Sequence, residues 1–164
     1  MKAATTRKGI LLPPFRMLKN ENSSWNNLAL MLSDQSPWYF EIRHEGQLLD
    51  TIQGPLALKI DDVTRRVASL CRSTERNGLI PALELNEIVL NAVEHRSYCD
   101  PSPIVLDIRP YSIVVESPGG LLRTGGSYRE RTRNPLLAEV VSSLGLKNPK
   151  IRGIAGVMNS FRGS

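Results

Sequence analysis

Glu84-Leu85-Asn86-Glu87-Ile88-Val89-Leu90-Asn91-Ala92-Val93-Glu94-His95-Arg96-Ser97-Tyr98 reads as an amphipathic helix. At about 100° per residue, Leu85, Ile88, Val89, Ala92 and Val93 share one apolar face. Glu87, Asn91 and His95 recur every fourth residue and form a polar stripe beside that face, with Glu84 nearby. A carboxylate, an amide and an imidazole along a core-packed helix can bind a metal and position a water. A plainer reading competes with this one, because a helix edge that faces solvent needs polar residues whatever the protein does.

Upstream of this helix, Gly54-Pro55 opens a long helical pattern carrying Leu56, Ile60, Val63, Val67 and Leu70, and Asn77-Gly78 stops it. Arg65, Arg66, Arg72 and Arg76 decorate its other sides, as a solvated face or as a surface for phosphate. Before it, Trp38 to Arg43 and Leu48 to Ile52 are rich in aromatic and branched residues and flank Gly46, which predicts a β-hairpin. A short helix is expected over Asn26 to Ser33, ended by Ser36-Pro37, while Met1 to Lys8 is a polar, basic terminus.

Downstream, Ile104 to Ile108 and Ser112 to Glu116 form a second predicted hairpin around Arg109-Pro110-Tyr111. The second strand runs into Ser117-Pro118-Gly119-Gly120-Leu121 and then a basic loop over residues 122–133, expected to be mobile. Asn134-Pro135 starts another helix, with asparagine as N-cap, an apolar stripe of Leu136, Leu137, Val140, Val141 and Leu144, and Gly145 as its end. A glycine-bearing loop with Gly153 and Gly156 closes the pattern.

With 164 residues, 41% of them hydrophobic, the chain can bury one real core. Aromatic residues are only 5%, so that core is built from Leu, Ile, Val and Ala. The net charge of +5 is compatible with anionic partners such as nucleotide or nucleic acid, and equally with simple solubility. Two cysteines, Cys71 and Cys99, do not make a disulfide framework and suit a reducing compartment. No apolar run is long enough for a bilayer and no secretory leader is visible, so the expectation is a cytoplasmic protein without a membrane partner.

Three features suit one anion site: the Glu87/Asn91 stripe, the Gly119-Gly120 turn after a strand, and the Gly153/Gly156 loop. Glycines let backbone amides approach phosphate, and a helix starting just after such a loop adds its positive end. An asparagine oxygen can ligate Mg²⁺ when phosphates and waters complete the shell, and a glutamate one turn away can polarise a water. No lysine-bearing phosphate loop of the G-x-x-x-x-G-K-[ST] kind occurs, which excludes the ordinary P-loop fold. His95 and Cys99 are four apart but lack two further ligands at zinc-site spacing.

The same residues resemble a known family. Glu84 to Tyr98 is similar to the "ALREALVNAIVHRDY" segment of RecG-related ATP-binding proteins, which carry a divergent GHKL-type (Bergerat) ATPase domain behind an AlbA/Schlafen-like DNA-binding domain. Gln53-Gly54-Pro55-Leu56 resembles the family's "GPL" helix start, and Ile113 to Leu121 resembles "IEIxNPGGL". Arg133-Asn134-Pro135-Leu136-Leu137-Ala138 with Leu144-Gly145-Leu146 resembles "RNPLLAxxLxxLGL", and Arg152-Gly153-Ile154 the closing "G-x-G-I".

The resemblance spans roughly residues 26–158 and implies an α/β fold, an α+β two-layer sandwich of mixed sheet and helices. It implies residues 1–53 as the remnant of an upstream domain and 54–164 as a GHKL-like ATP-binding domain cut short at its C-terminus. By that likeness Glu87 is the water-activating base and Asn91 the Mg²⁺ ligand, with His95 on the same nucleotide-facing stripe. Ser117, Gly119 and Gly120 belong to the adenine-contacting turn, Gly153 and Gly156 approach the phosphates, and residues 122–133 form the lid. The implied cofactors are ATP and Mg²⁺, and the implied partners are nucleotide, DNA and a second copy in a homodimer.

Three positions depart from the family pattern. Ser117 stands where active members have an aspartate for the adenine amino group, and a hydroxyl bonds more weakly than a carboxylate. Ser97 replaces an aspartate, and Ile151 occupies the place of the first phosphate-loop glycine. The expectation is therefore ATP binding in a transcriptional regulator with slow or absent hydrolysis, or a non-catalytic module for DNA-linked regulation or dimerisation.

Overall fold

The structure, a computed structural model, describes residues 27–73, 82–119 and 133–146. Among the described residues four α-helices and four strands follow in the order α1 (Asn27–Met31), β1 (Phe40–His44), β2 (Gln47–Ile52), α2 (Ile60–Ser73), α3 (Ala82–His95), β3 (Ile104–Ile108), β4 (Ile113–Glu116) and α4 (Pro135–Ser143). The strands form one mixed sheet in the order β2-β1-β3-β4. Both sequence hairpins are antiparallel as expected, and β1 runs parallel to β3. The molecule is thus an α+β fold of two layers, with the helices packed on one face of the sheet.

Strand alternation sorts the two faces. Phe40 and Ile42 of β1 pair in register with Ile104 and Leu106 of β3, and all four are fully buried against the helices. Their neighbours Glu41, Arg43 and Asp107 take the opposite face, where Arg43 Nε bonds Glu41 at 3.0 Å and Arg109 Nε bonds Asp107 at 2.9 Å. Leu56, Ile60, Val63, Val67, Leu85, Val89 and Val93 supply the helical side of the core.

The parallel β1–β3 pair crosses the boundary expected between residues 53 and 54. The first hairpin shares its sheet and its core with described residues after 54. One correction concerns the long helix expected from Pro55. Pro55 is extended (φ −62°, ψ 95°), a one-turn 3₁₀ helix covers Leu56–Leu58, and α2 proper begins at Ile60 with Asp61 and Asp62 in its first turn.

The turn between β1 and β2 is Glu45-Gly46, flanked by the paired residues His44 and Gln47. Both turn residues have positive φ, 50° and 82°, the signature of the two-residue turn that matches strand twist. Asp107 of β3 holds this turn down by accepting from the Gly46 amide at 3.0 Å. Among the described residues no helix is long and apolar enough to cross a membrane.

Candidate functional site

α3 is enclosed on more than its apolar face. Leu85, Val89, Ala92 and Val93 are buried as expected, but Leu90, Glu87 and Glu94 are buried too, and none of residues 84–96 is exposed. Ile88, expected in the core, is only half-buried. Along the polar stripe Glu87 is buried while Glu84, Asn91 and His95 are half-buried, so solvation accounts for those three more readily than for Glu87. Glu87 is 5% exposed, and a carboxylate at that burial needs a reason, because taking charge from water is costly.

Asn91, one turn further on, is half-buried, and its Nδ2 is a fully covered atom that meets no hydrogen-bond partner among the described residues. Glu84 Oε2 is in the same condition at the start of the stripe. His95 is half-buried at the end of the helix, and its carbonyl, rather than its imidazole, makes the contact that ties it down.

That contact belongs to a set that closes the C-terminus of α3. The last carbonyls of a helix have no partner inside it and must find one elsewhere. Here Ser117 Oγ donates to Ala92 O (2.8 Å), Tyr98 Oη to Val93 O (2.8 Å) and Arg133 Nε to His95 O (3.2 Å). Asn134 Nδ2 donates to both Glu94 O (2.8 Å) and Arg96 O (2.9 Å). Five consecutive carbonyls, 92 to 96, thereby accept a side-chain hydrogen bond. The expected N-cap role of Asn134 is corrected by this, because its side chain makes no capping bond to α4 and serves α3 instead.

The Ser117-Pro118-Gly119 turn is pressed onto the residues just after α3. Ser97 N donates to Pro118 O at 2.6 Å, and Arg133 Nη2 donates to Gly119 O at 2.6 Å. Gly119 has φ 116°, and a Cβ there would lie 2.8 Å from the Cβ and the backbone N of Ser97. Only glycine fits both the conformation and the space. The structure thus brings together Asn91, Ser117, Gly119 and the end of α3. Gly120, Gly153, Gly156, Ile151 and residues 122–132 of the expected lid lie outside the described residues.

Two residues that carry much of this corner were not singled out from sequence. Arg96 is 0% exposed; its Nη2 donates to Asp100 O and Ser102 O, both at 2.6 Å, and its guanidinium carbon lies 5.3 Å from the Tyr98 ring centroid. Tyr98 in turn meets Trp38 edge-on, with centroids 4.8 Å apart and planes at 84°. Burial lowers the pKa of Arg96, against the opposing pull of Tyr98 and Asp100, and burial raises that of the Tyr98 phenol. The signal was present: Arg96 lies eleven residues after Leu85, three helical turns on, so it falls on the apolar face.

Among the described residues no group of three His, Cys, Asp or Glu side chains forms a metal cage. The expected Mg²⁺ ligand is the amide oxygen of Asn91, with the Glu87 carboxylate one turn away as the expected base; the uncommitted atom of Asn91 among the described residues is its Nδ2, a donor and not a metal ligand. An amide oxygen is hard, which suits Mg²⁺ when phosphate oxygens and waters fill the other positions. On α2 the picture differs from a phosphate-facing row. Arg65 pairs with Asp62, and Arg66 Nε bonds Asp50 at 2.8 Å, so two of the expected arginines already have carboxylate partners.

No family model matches the chain, and no curated protein does. Among solved structures, the DIP2311 protein from Corynebacterium diphtheriae is similar in fold, with a TM-score of 0.57 at 23% sequence identity. The match covers 80% of this chain and 30% of that one, so the chain spans under a third of that protein's length. At this identity the likeness speaks for the fold alone.

Proposed function

We propose that this chain is a nucleotide-binding domain of the GHKL kind, from a RecG-related transcriptional regulator, that takes ATP with Mg²⁺ and hydrolyses it slowly or not at all. The observation that carries this reading is Glu87, 5% exposed, one turn from an Asn91 whose buried Nδ2 lacks a partner among the described residues and could donate to an oxygen of a bound nucleotide. The Asn91 amide oxygen would hold the metal, which would supply positive charge against the phosphates when bound. Glu87 can take a proton from a water beside it. The Ser117–Gly119 turn, bonded to the same helix, would border the base.

Ser117 itself favours a second reading, a non-catalytic module in DNA-linked regulation. Its hydroxyl proton is committed to Ala92 O, so toward a ligand it offers only lone pairs of a neutral oxygen. A weak base contact slows or abolishes turnover without abolishing the fold. Against a DNA surface on α2 stand the ion pairs of Arg65 and Arg66.

Thermal unfolding with and without Mg²⁺-ATP separates these. A ligand at about 100 times its Kd stabilises the folded state by about 2.7 kcal/mol. At about 2–4 °C per kcal/mol for a chain of this size, the melting temperature should rise by roughly 5–10 °C. Asn91→Ala should abolish the rise. No shift at millimolar Mg²⁺-ATP would sink the nucleotide reading, and salt-dependent DNA binding indifferent to ATP would favour the second.

A further inference from the structure

Arg133 lies outside both of the segments that its side chain joins. Its Nε donates to His95 O at the end of α3 (3.2 Å), and its Nη2 donates to Gly119 O in the turn after β4 (2.6 Å). The two halves of this bridge differ in what they do. The His95 bond is part-buried and belongs to the closure of α3. The Gly119 bond is exposed, as is Gly119 itself, so burial does not hold that carbonyl and water can serve it in place of the guanidinium. The turn is already attached to α3 and the residue after it through Ser117 Oγ on Ala92 O and Ser97 N on Pro118 O. A further bond on the exposed glycine therefore adds little to stability. What it does is fix the end of the turn, at a residue whose backbone is otherwise freer than any other type.

We propose that Arg133 is a positioning residue for the base side of the nucleotide site, its fork holding the Ser117–Gly119 turn in place against α3. The inference rests on the nucleotide reading above, in which that turn borders the base while Asn91 serves the metal and phosphates. A turn already fixed spares the ligand the cost of ordering it, which raises affinity. The fork is essential to this role. A guanidinium offers Nε–H and Nη–H at a set angle to two acceptors, whereas a lysine ammonium is a point charge on a flexible stem. Because Arg133 acts through the turn, its effect falls on the share of affinity that the base supplies and spares the share that the phosphates supply.

Isothermal titration calorimetry of the full chain with two probes, Mg²⁺-ATP and Mg²⁺-tripolyphosphate, separates those shares. In the parent, ATP should bind more tightly than tripolyphosphate. In Arg133→Ala the ATP affinity should fall about tenfold, while the tripolyphosphate affinity stays within about threefold. Arg133→Lys keeps the charge and the stem, so it guards against a fold lost in the alanine variant, and it should lose nearly as much ATP affinity. Both variants should melt within about 5 °C of the parent, because the Gly119 bond is exposed. Equal losses for the two probes would make Arg133 a phosphate contact and overturn the proposal. Full ATP affinity in either variant also overturns it, and leaves the nucleotide reading standing. A parent that binds neither probe brings down the nucleotide reading and this inference together.

Discussion

Replacing Asn134 with aspartate separates two roles that this side chain can play. As an N-cap for α4, aspartate would serve at least as well, because a carboxylate accepts from helix N-terminal amides and complements the dipole. In the structure the Asn134 amide instead donates to Glu94 O at 2.8 Å and to Arg96 O at 2.9 Å. An aspartate cannot donate, so those two part-buried carbonyls lose a partner and face a negative charge. Each lost bond costs about 1 kcal/mol, and leaving the group short of a partner adds about as much again where water cannot replace it. Asn134→Ala leaves space for water and should therefore cost about 2 kcal/mol, near the lower end of that sum. Asn134→Asp should cost about 3 kcal/mol or more, because repulsion is added to the loss. Urea unfolding followed by circular dichroism reads both, as a lowered midpoint at unchanged slope. An Asn134→Asp protein as stable as the parent would refute the tie to α3 and restore the capping role.

Three other perturbations follow from the geometry. Gly119→Ala places a Cβ 2.8 Å from the Ser97 backbone at φ 116°, which should cost about 3 kcal/mol or more; an unchanged melting temperature would contradict the close packing. Burial pushes the Asp107 carboxyl up, but the Gly46 amide, the Arg109 guanidinium and the Arg43 charge outweigh it, so its pKa lies below the ordinary value. A carboxyl depressed in the folded state contributes stability that is full above its unfolded pKa of about 3.9 and is lost as pH falls through the folded value. Stability should thus decline below about pH 4, and Asp107→Asn should flatten that decline, with an identical slope in the variant as the adverse result. Glu45 holds φ 50° at the first position of a two-residue turn that favours asparagine, so Glu45→Asn should raise stability by about 0.5–1 kcal/mol in the same urea assay.

Local pattern was enough for the two hairpins and for the existence of α2, α3 and α4, because periods of two and of 3.6 are properties of a short window. It was not enough for the parallel pairing of β1 with β3. That contact joins residues more than fifty positions apart, and nothing in either strand names its neighbour. The enclosure of α3 was hidden for the same reason: Leu90, Glu87 and Glu94 lie off the apolar face, and their burial depends on what packs there. The motif residues were found in their right order, yet order alone does not say what a motif is for. Ser117, Arg133, Asn134 and Tyr98 each give a hydrogen bond to the end of α3, so a folding requirement already accounts for them. Their persistence would follow even in a protein that binds nothing. Asn91 stands apart, since its half-buried amide has an end that no described residue satisfies and the closure of α3 does not use it. The functional question therefore rests on Asn91 and the buried Glu87 beside it. Loss of nucleotide binding in Asn91→Ala with the α3 closure intact is the outcome that a folding motif alone cannot produce.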